Sequence, residues 1–142
     1  MIKSVAGIVY IKNKYLFQVR DKKPSIWFSG FHGFFGGLVD KGETPIQAIK
    51  REILEELNVS ITKSELLINL NFKTKKLEEK RDRYYYILNL KKNFEKKLII
   101  SEGAGFKFFS IDQIKLSNMI PWDITAIYYH QLLIKKKEFR PK

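Results

Sequence analysis

The sequence contains no cysteine, and this absence excludes several kinds of chemistry. A chain without thiols has no disulfide scaffold, no cysteine nucleophile and no thiolate zinc site. Its two histidines, His32 and His130, lie far apart and form no metal-ligand spacing. We therefore interpret each histidine as structural or solvent-facing.

Long hydrophobic runs are absent as well. No apolar stretch approaches the roughly 18–20 residues that span a bilayer. The apolar segment nearest the N-terminus, Val5–Ile11, is followed by Lys12 and shows no small-residue cleavage pattern. We interpret it as a buried strand and not as a signal peptide. The cytoplasm is then the expected compartment, and no membrane partner is expected.

Acidic residues are scarce, with 15 Asp and Glu against 27 Lys and Arg and a net charge of +12. Such a charge has two interpretations. It can mark a binding surface for nucleic acid. It can also reflect a general lysine-rich surface with some affinity for anionic substrates, because most of the basic residues are lysines spread through the chain. The second interpretation is favoured, so nucleic acid stays the less favoured partner.

The element pattern predicts one layered α/β domain over residues 1–142. With 142 residues and 44% hydrophobic residues, the chain can bury one good core. Apolar and alternating segments predict strands at residues 5–11, 15–20, 66–72, 84–90 and 106–110. Helices are predicted from residue 45 to 57 and from about 121 to 137, with a helical turn at 111–116. Trp122 and Tyr128 are expected to anchor the last helix.

The first helix carries clear start signals. Thr44 suits the N-cap, Pro45 suits the first helical position, and Gln47 completes a capping box. At about 100° per residue, the helix has an apolar stripe and an acidic face. The stripe is predicted to face the core and consists of Ile46, Ile49, Ile53 and Leu57. The acidic face consists of Glu52, Glu55 and Glu56.

The three glutamates on one helix face require an explanation. Like charges one turn apart repel by roughly 0.2–0.5 kcal/mol per pair, and the helix dipole disfavours anions in the last turn. The face is either a solvated surface or a site for a hard divalent cation such as Mg²⁺. Gly36 and Gly37 come shortly before the helix and favour the second interpretation, because glycine lets a backbone approach a ligand closely.

The full spacing is more specific than the glutamates alone. Gly37, Glu43, the pair Arg51-Glu52 and the pair Glu55-Glu56 stand at the intervals of the Nudix box, which this segment resembles over 37–59. The sequence departs from the box at Asn58, where the family usually has glycine. Asparagine also adopts the left-handed conformation at helix ends, so Asn58 is compatible with the box.

The resemblance implies a fold and a chemistry. It implies an α/β/α sandwich with a mixed sheet, in which the box forms a loop-helix-loop. It also implies a pyrophosphohydrolase that uses Mg²⁺ or Mn²⁺ to cleave the diphosphate bond of a nucleoside diphosphate derivative, such as a nucleotide sugar, or of a nucleoside triphosphate. The implied metal ligands are Glu52, Glu55, Glu56, the Gly37 carbonyl and Glu102 from a distant loop. Glu52 is also the candidate base, and Arg51 with Glu43 forms a supporting ion pair.

Residues that select the substrate are less visible in the sequence. Trp27 and Phe28 are candidates to stack on a base, with a core or lid role as the alternative, and Arg20 is a third candidate contact. The basic segment 73–83 supports an alternative function, a pyrophosphohydrolase of RNA 5′ ends. A non-catalytic nucleotide-binding module is a further alternative. The oligomeric state stays open, a homodimer included.

Overall fold

The computed structural model describes residues 1–20, 22–23, 28–91, 94 and 105–136. Within these residues there are eight strands, in chain order: β1 (Ile2–Ile8), β2 (Tyr10–Ile11), β3 (Lys14–Val19), β4 (His32–Gly33), β5 (Phe35–Leu38), β6 (Ile61–Phe72), β7 (Arg81–Leu90) and β8 (Gly105–Ser110). The helices are α1 (Pro45–Leu57) and α2 (Pro121–Lys135), and two 3₁₀ turns lie at Ile111–Gln113 and Leu116–Asn118.

The strands form two sheets of four. The larger sheet has the order β5-β1-β7-β6, with β1 and β7 parallel and the other neighbours antiparallel. In the second sheet, β3 pairs with β2, β4 and β8, always antiparallel. The predicted mixed sheet with two helices is therefore confirmed.

The central sheet separates two cores. Val5 of β1 packs in one core with Ile49, Ile53 and Leu57 of α1. The next residue, Ala6, packs in the other core with α2 residues that include Ile127. Because successive side chains of a strand point to opposite faces, α1 and α2 cover opposite faces of the sheet. β1 is buried on both sides, as expected for a strand with a parallel neighbour inside a sandwich.

Two sequence-based expectations about helix faces were wrong. Ile46 is 39% exposed, so the core contacts of α1 begin only at Ala48 and Ile49. Tyr128 is 53% exposed, because the buried face of α2 follows the helical spacing of Ala126, Ile127, His130 and Leu133. Within the described part of the chain, neither helix combines the length and apolar character needed to cross a bilayer.

The two long strands β6 and β7 extend beyond their predicted limits. β7 begins at Arg81, where the sequence suggested a charged loop up to residue 83. Arg81 pairs with Ile2 of β1, and Asp82 is buried with 7% exposure. Backbone pairing in the middle of a sheet thus overrides the polar composition of this segment.

Candidate active site

Helix α1 is held firmly at both ends. Gln47 N donates to Thr44 Oγ1 over 3.3 Å, and Thr44 N donates to Gln47 Oε1 over 2.9 Å, which is the predicted capping box. At the other end Asn58 has φ 54° and ψ 38°, and its amide donates to Leu54 O. The left-handed conformation expected of Asn58 is confirmed. The three glutamates therefore project from a helix with defined limits.

Strand β5 runs beside this helix and contains two glycines, Gly36 and Gly37, that have different structural roles. A Cβ atom at Gly36 would collide with the carbonyl oxygen of Val5 and lie 2.8 Å from its carbonyl carbon. The Gly36 amide also donates to Glu56 Oε1 over 3.2 Å. A Cβ atom at Gly37 would instead meet the Glu52 carboxyl group, 2.6 Å from its Cδ. Gly36 permits strand packing, and Gly37 leaves room for a carboxylate.

Arg51 organises the acidic face. Its Nε and Nη2 donate to the two carboxylate oxygens of Glu43 over 2.8 and 2.9 Å, a bidentate pair. Its Nη1 donates to Glu52 Oε1 over 2.9 Å and to Glu55 Oε2 over 3.4 Å, and Nη2 reaches Leu38 O. The hydrogen bonds from Arg51 lower the pKa of Glu43 to about 2. The arrangement links the loop, β5 and α1 through one guanidinium.

Glu52 and Glu56 form the interior part of the acidic face. Glu56 is 2% exposed, although it is a glutamate in the last turn of a helix. Burial raises the pKa of Glu52, against the opposing effect of hydrogen bonds with Arg51 and with the Glu56 carboxyl group. Two carboxyl groups that share a site cannot both ionise easily unless a cation lies near them.

The donor atoms of this face suit a hard divalent cation. Among the described side chains, no three acidic or histidine groups already converge as a ligand cluster. Instead, Glu52 and Glu55 point oxygens at Arg51, and Glu56 accepts from Gly36. All the atoms of this face that could bind a metal are oxygens. The Glu52 carboxylate occupies the space beside Gly37. Oxygen donors of this kind fit Mg²⁺ or Mn²⁺.

A cavity of about 350 Å³ opens beside Gly37. Its polar lining consists of Ser4, Arg20, Arg81 and Arg83, and its aromatic lining consists of Phe28, Phe72 and Trp122. The structure thus places two predicted substrate residues, Arg20 and Phe28, in one cavity next to the predicted metal face. The other two predicted site residues, Trp27 and Glu102, lie outside the described residues.

The aromatic lining is continuous. The rings of Phe28 and Trp122 meet edge to face with centroids 5.4 Å apart. Trp122 and Phe72 are tilted by 30° with centroids 5.0 Å apart. Trp122, the second residue of α2, was expected to anchor this helix, and it also forms part of the cavity wall. Three distant segments therefore supply one apolar surface.

A buried ion pair lies behind the polar lining. Asp123 is fully buried, and its Oδ1 accepts from Tyr85 Oη over 2.6 Å and lies 3.4 Å from Arg83 Nε. Its Oδ2 accepts from Phe34 N over 3.0 Å. Burial disfavours the charged form of Arg83, but the Asp123 carboxylate and Tyr85 still raise the pKa of Arg83. Arg83 Nη1 donates to Ser4 Oγ over 3.2 Å.

Arg81, Arg83 and Asp123 were not predicted as site residues from the sequence. A signal was present, since Arg81, Arg83 and Tyr85 alternate as residues on one face of a strand do. This alternation was masked by the surrounding lysines and glutamates of segment 73–83. Asp123 gave no local signal at all, because its partners lie 38 to 89 residues away.

Comparison with known proteins agrees with the geometry of the box. The model of the NUDIX domain matches residues 1–129. The chain belongs to the Nudix hydrolase family. Members of this family act on phosphoanhydride bonds of nucleotide derivatives and generally use divalent metals. The family predicted from the box is thereby confirmed.

Solved structures of Nudix proteins share the fold. A MutT NUDIX hydrolase from Burkholderia pseudomallei superposes with a TM-score of 0.76 at 19% identity, covering 90% of this chain and 96% of that one. A NUDIX hydrolase from Nitrosomonas europaea superposes with a TM-score of 0.78 at 20% identity, covering 92% and 88%. At these identities the similarity concerns the fold.

Two relatives are similar in sequence. An oxidized purine nucleoside triphosphate hydrolase from Danio rerio is 31% identical over 105 residues, which are 74% of this chain and 64% of that protein. A U8 snoRNA-decapping enzyme from Homalodisca vitripennis is 44% identical over 55 residues, 36% of this chain and 29% of that protein. The chain thus spans less than two thirds of the length of either relative.

Proposed function

We propose that this protein is a metal-dependent pyrophosphohydrolase that cleaves the diphosphate bond of a small nucleotide, either a nucleoside triphosphate or a nucleoside diphosphate derivative. The observation that carries the proposal is the position of Gly37. This residue borders the acidic face of α1 on one side and the aromatic cavity on the other. A nucleotide can therefore place its phosphates at the glutamates while its organic part enters the cavity.

Glu52, Glu55 and Glu56 would hold the Mg²⁺ or Mn²⁺ ions, with the Gly37 carbonyl as a further ligand. Such ions neutralise the charge of a diphosphate and polarise its phosphorus. Glu52 is the group we assign to take the proton of the attacking water, since its carboxylate lies against Gly37 and is held there by Arg51. Arg51 orients Glu52 and is itself fixed by the bidentate bond to Glu43.

The cavity residues hold the remainder of the substrate. Phe28, Phe72 and Trp122 offer faces for stacking, and base–aromatic stacking contributes about 1–3 kcal/mol per base. Arg20 and Arg81 add positive charge at the same cavity. These residues bind and orient, and they exclude water from the organic part of the substrate.

A purified-protein assay tests the proposal. Release of nucleoside monophosphate and phosphate products from a panel of nucleotides is followed by mass, with Mg²⁺, with Mn²⁺ and with chelator. We expect turnover only with metal. Glu56→Gln should lower turnover by about 100-fold or more, because it removes a charge at the site while keeping the acceptor for Gly36. Glu65→Gln, an exposed carboxylate on β6, is the matched control.

Absence of metal-dependent turnover on every nucleotide of the panel would reject the proposal. An unchanged rate in Glu56→Gln would reject the assignment of the site. The intact set of glutamates argues against a purely non-catalytic binding module.

A second candidate function is hydrolysis at RNA 5′ ends. The net charge of +12 and the similarity to a relative named as a U8 snoRNA-decapping enzyme favour it. This function requires RNA binding that weakens steeply with salt, since binding to phosphates releases counterions. Turnover of free nucleotides that is faster than turnover of a 5′-triphosphate RNA, together with no salt-dependent RNA binding, would exclude it.

A further inference from the structure

Strand β6 lies at the edge of the larger sheet. Among the described strands it pairs only with β7, which leaves its outer side without a strand neighbour there. The strand is 12 residues long, and its exposed side chains include Lys63, Glu65 and Leu66. The backbone N–H and C=O groups along such an edge can pair with a strand of another chain. The outer edge of β6 is therefore a candidate contact surface.

Helix α2 adds exposed apolar side chains beside this edge. Its second residue, Trp122, packs against Phe72 of β6 with ring centroids 5.0 Å apart. Tyr129 follows Trp122 by about two helical turns, so it lies on the same side of α2, toward β6. Tyr129 is 37% exposed, and Leu132, almost one turn further, is 48% exposed. We call the outer edge of β6 and this side of α2 the β6–α2 surface.

The β6–α2 surface has few of the basic residues that dominate the chain. β6 has 12 residues and α2 has 15, and Lys63 and Lys135 are the only Lys or Arg in both elements together. The whole chain has 27 Lys and Arg among 142 residues, a much higher proportion. Two copies with a net charge of +12 repel each other least where their surfaces are nearly neutral. Lysine is also depleted, and tyrosine enriched, at the core of protein interfaces. This surface therefore fits a second copy of the chain better than a strongly acidic partner.

We propose that two copies of this chain form a symmetric dimer through the β6–α2 surface. The two β6 strands run antiparallel across a two-fold axis at Ser64 and extend the larger sheet from one copy into the other. In this register Lys63 of each copy lies opposite Glu65 of the other copy, and Thr62 lies opposite Leu66. The same patch meets itself, as a two-fold interface requires, and each charge meets its opposite.

The geometry of β6 favours this register. The pairing of β6 with β7 is regular from Lys63 to Leu66, and a register shift interrupts it on either side. The axis at Ser64 falls within this regular stretch. A strand contact of this length is small, whereas stable interfaces bury about 800 Å² per partner. Tyr129 and Leu132 of both copies supply the additional apolar area.

The proposed dimer leaves both candidate active sites open. The acidic face of α1 lies against β5, and β5 and β6 stand at opposite edges of the larger sheet. Phe72, the β6 residue that lines the cavity, is about 26 Å from Ser64 along an extended strand. The partner strand would end before it reached Phe72. The inference therefore goes beyond the proposed function and does not depend on it.

Sedimentation equilibrium of the full chain at about 0.15 M salt tests the proposal. We expect a reversible association at micromolar concentration to twice the chain mass of 16.8 kDa. Lys63→Glu and Glu65→Lys each place like charges opposite one another twice, so each should raise the dissociation constant about 10-fold or more. An equimolar mixture of these two variants should dimerise again, because every acidic side chain at the contact then meets a lysine.

Matched variants show whether the effects belong to this surface. Leu132→Glu places a charge in the apolar part of both copies and should raise the dissociation constant about 100-fold. Leu116→Glu makes the same change at a position that is 57% exposed in a 3₁₀ turn, and Lys107→Glu reverses an exposed charge on β8. Neither of these two should alter the association. Thermal melting shows which variants are folded, and the exchanges at Lys63 and Glu65 carry the test if Leu132→Glu is not.

A chain that stays monomeric up to about 1 mM would overturn the proposal, because that concentration lies beyond the range of specific dimers. A dimer that resists both single charge reversals would overturn it as well, and so would a mixture of the two variants that fails to dimerise. Turnover measured on the same samples separates this inference from the proposed function. A dimer without metal-dependent turnover would reject only the function, and a monomer with full turnover would reject only the dimer.

Discussion

Two arginine-centred networks stand on either side of Gly37, and they differ in how their partners are gathered. Arg51 contacts residues from one loop-helix segment, Leu38 to Glu55, at the edge of the protein. Arg83 contacts Ser4, Tyr85 and Asp123, which belong to three different elements, in the interior. The residues of the first network stand at fixed intervals within one segment of the chain. The second exists only once the sheet and α2 have assembled.

The two networks should respond differently when a charged side chain is removed. A charge removed from the Arg51 network leaves groups that water can still reach. A charge removed from the Arg83 network leaves an ion without its partner in a buried environment. We therefore expect changes in the Arg51 network to lower turnover. Changes in the Arg83 network should lower the stability of the fold and disturb the cavity wall to which Arg83 belongs.

The largest expected effect is on turnover. Glu52→Gln should lower kcat by about 100- to 10,000-fold, the range that a positioned acid–base group contributes. The melting temperature should stay the same or rise, since the change removes one of three neighbouring negative charges. Rates and melting curves are measured on the same preparation, with Glu65→Gln as control. A variant that loses stability together with activity would contradict the assignment of Glu52.

Asp123→Ala is the counterpart in the interior. It leaves Arg83 buried without its carboxylate and removes the acceptor of Phe34 N, so we expect a loss of about 3–5 kcal/mol in the free energy of unfolding. Urea unfolding followed by tryptophan fluorescence measures the loss. Asp112→Ala, at an exposed position of a 3₁₀ turn, is the control and should change stability by under about 0.5 kcal/mol. Equal stability of the two variants would refute the structural role of Asp123.

The two adjacent glycines of β5 have different roles, one in stability and one in turnover. Gly36→Ala brings a side chain against the backbone of Val5, so we expect it to destabilise the fold by about 1–3 kcal/mol or more. Gly37→Ala meets only the movable end of Glu52 and should change stability little. Displacing that carboxylate should lower kcat by about 10- to 100-fold. Melting curves and rates are measured for both variants. If Gly36→Ala were tolerated while Gly37→Ala destabilised the fold, the structure of this strand would be contradicted.

The local box segment could be predicted from the sequence, whereas the cavity built from distant segments could not be predicted in full. The box, the capping of α1 by Thr44 and the left-handed Asn58 were predictable, because each depends on residues within a few turns of one another. The cavity was predictable only in part. Arg20 and Phe28 were expected as substrate contacts, but Arg81 was assigned to a loop. Its strand is formed through pairing with Ile2, about eighty residues earlier in the chain. No local pattern reports such a contact.

Glu43→Gln should act on both turnover and acid stability. The pKa of Glu43 is lowered to about 2 by Arg51, so its contribution to stability is present above the unfolded pKa near 4.5. It is lost as the pH falls from there through about 2. Unfolding is measured between pH 2 and pH 7. The stability difference between wild type and variant should shrink over this acid range, and a constant difference would disprove the assigned ion pair.

The smallest expected effect concerns Asn58, where the sequence departs from the box. Its φ of 54° is a conformation that costs an ordinary side chain about 1–2 kcal/mol, so Asn58→Ala should lower the free energy of unfolding by about 1 kcal/mol. Asn58→Gly should change it by under about 0.5 kcal/mol, because glycine relieves the strain but gains freedom in the unfolded chain. Both variants should retain turnover, since Asn58 only ends the helix that carries the glutamates. A glycine variant with clearly higher stability would show that the departure from the box weakens α1.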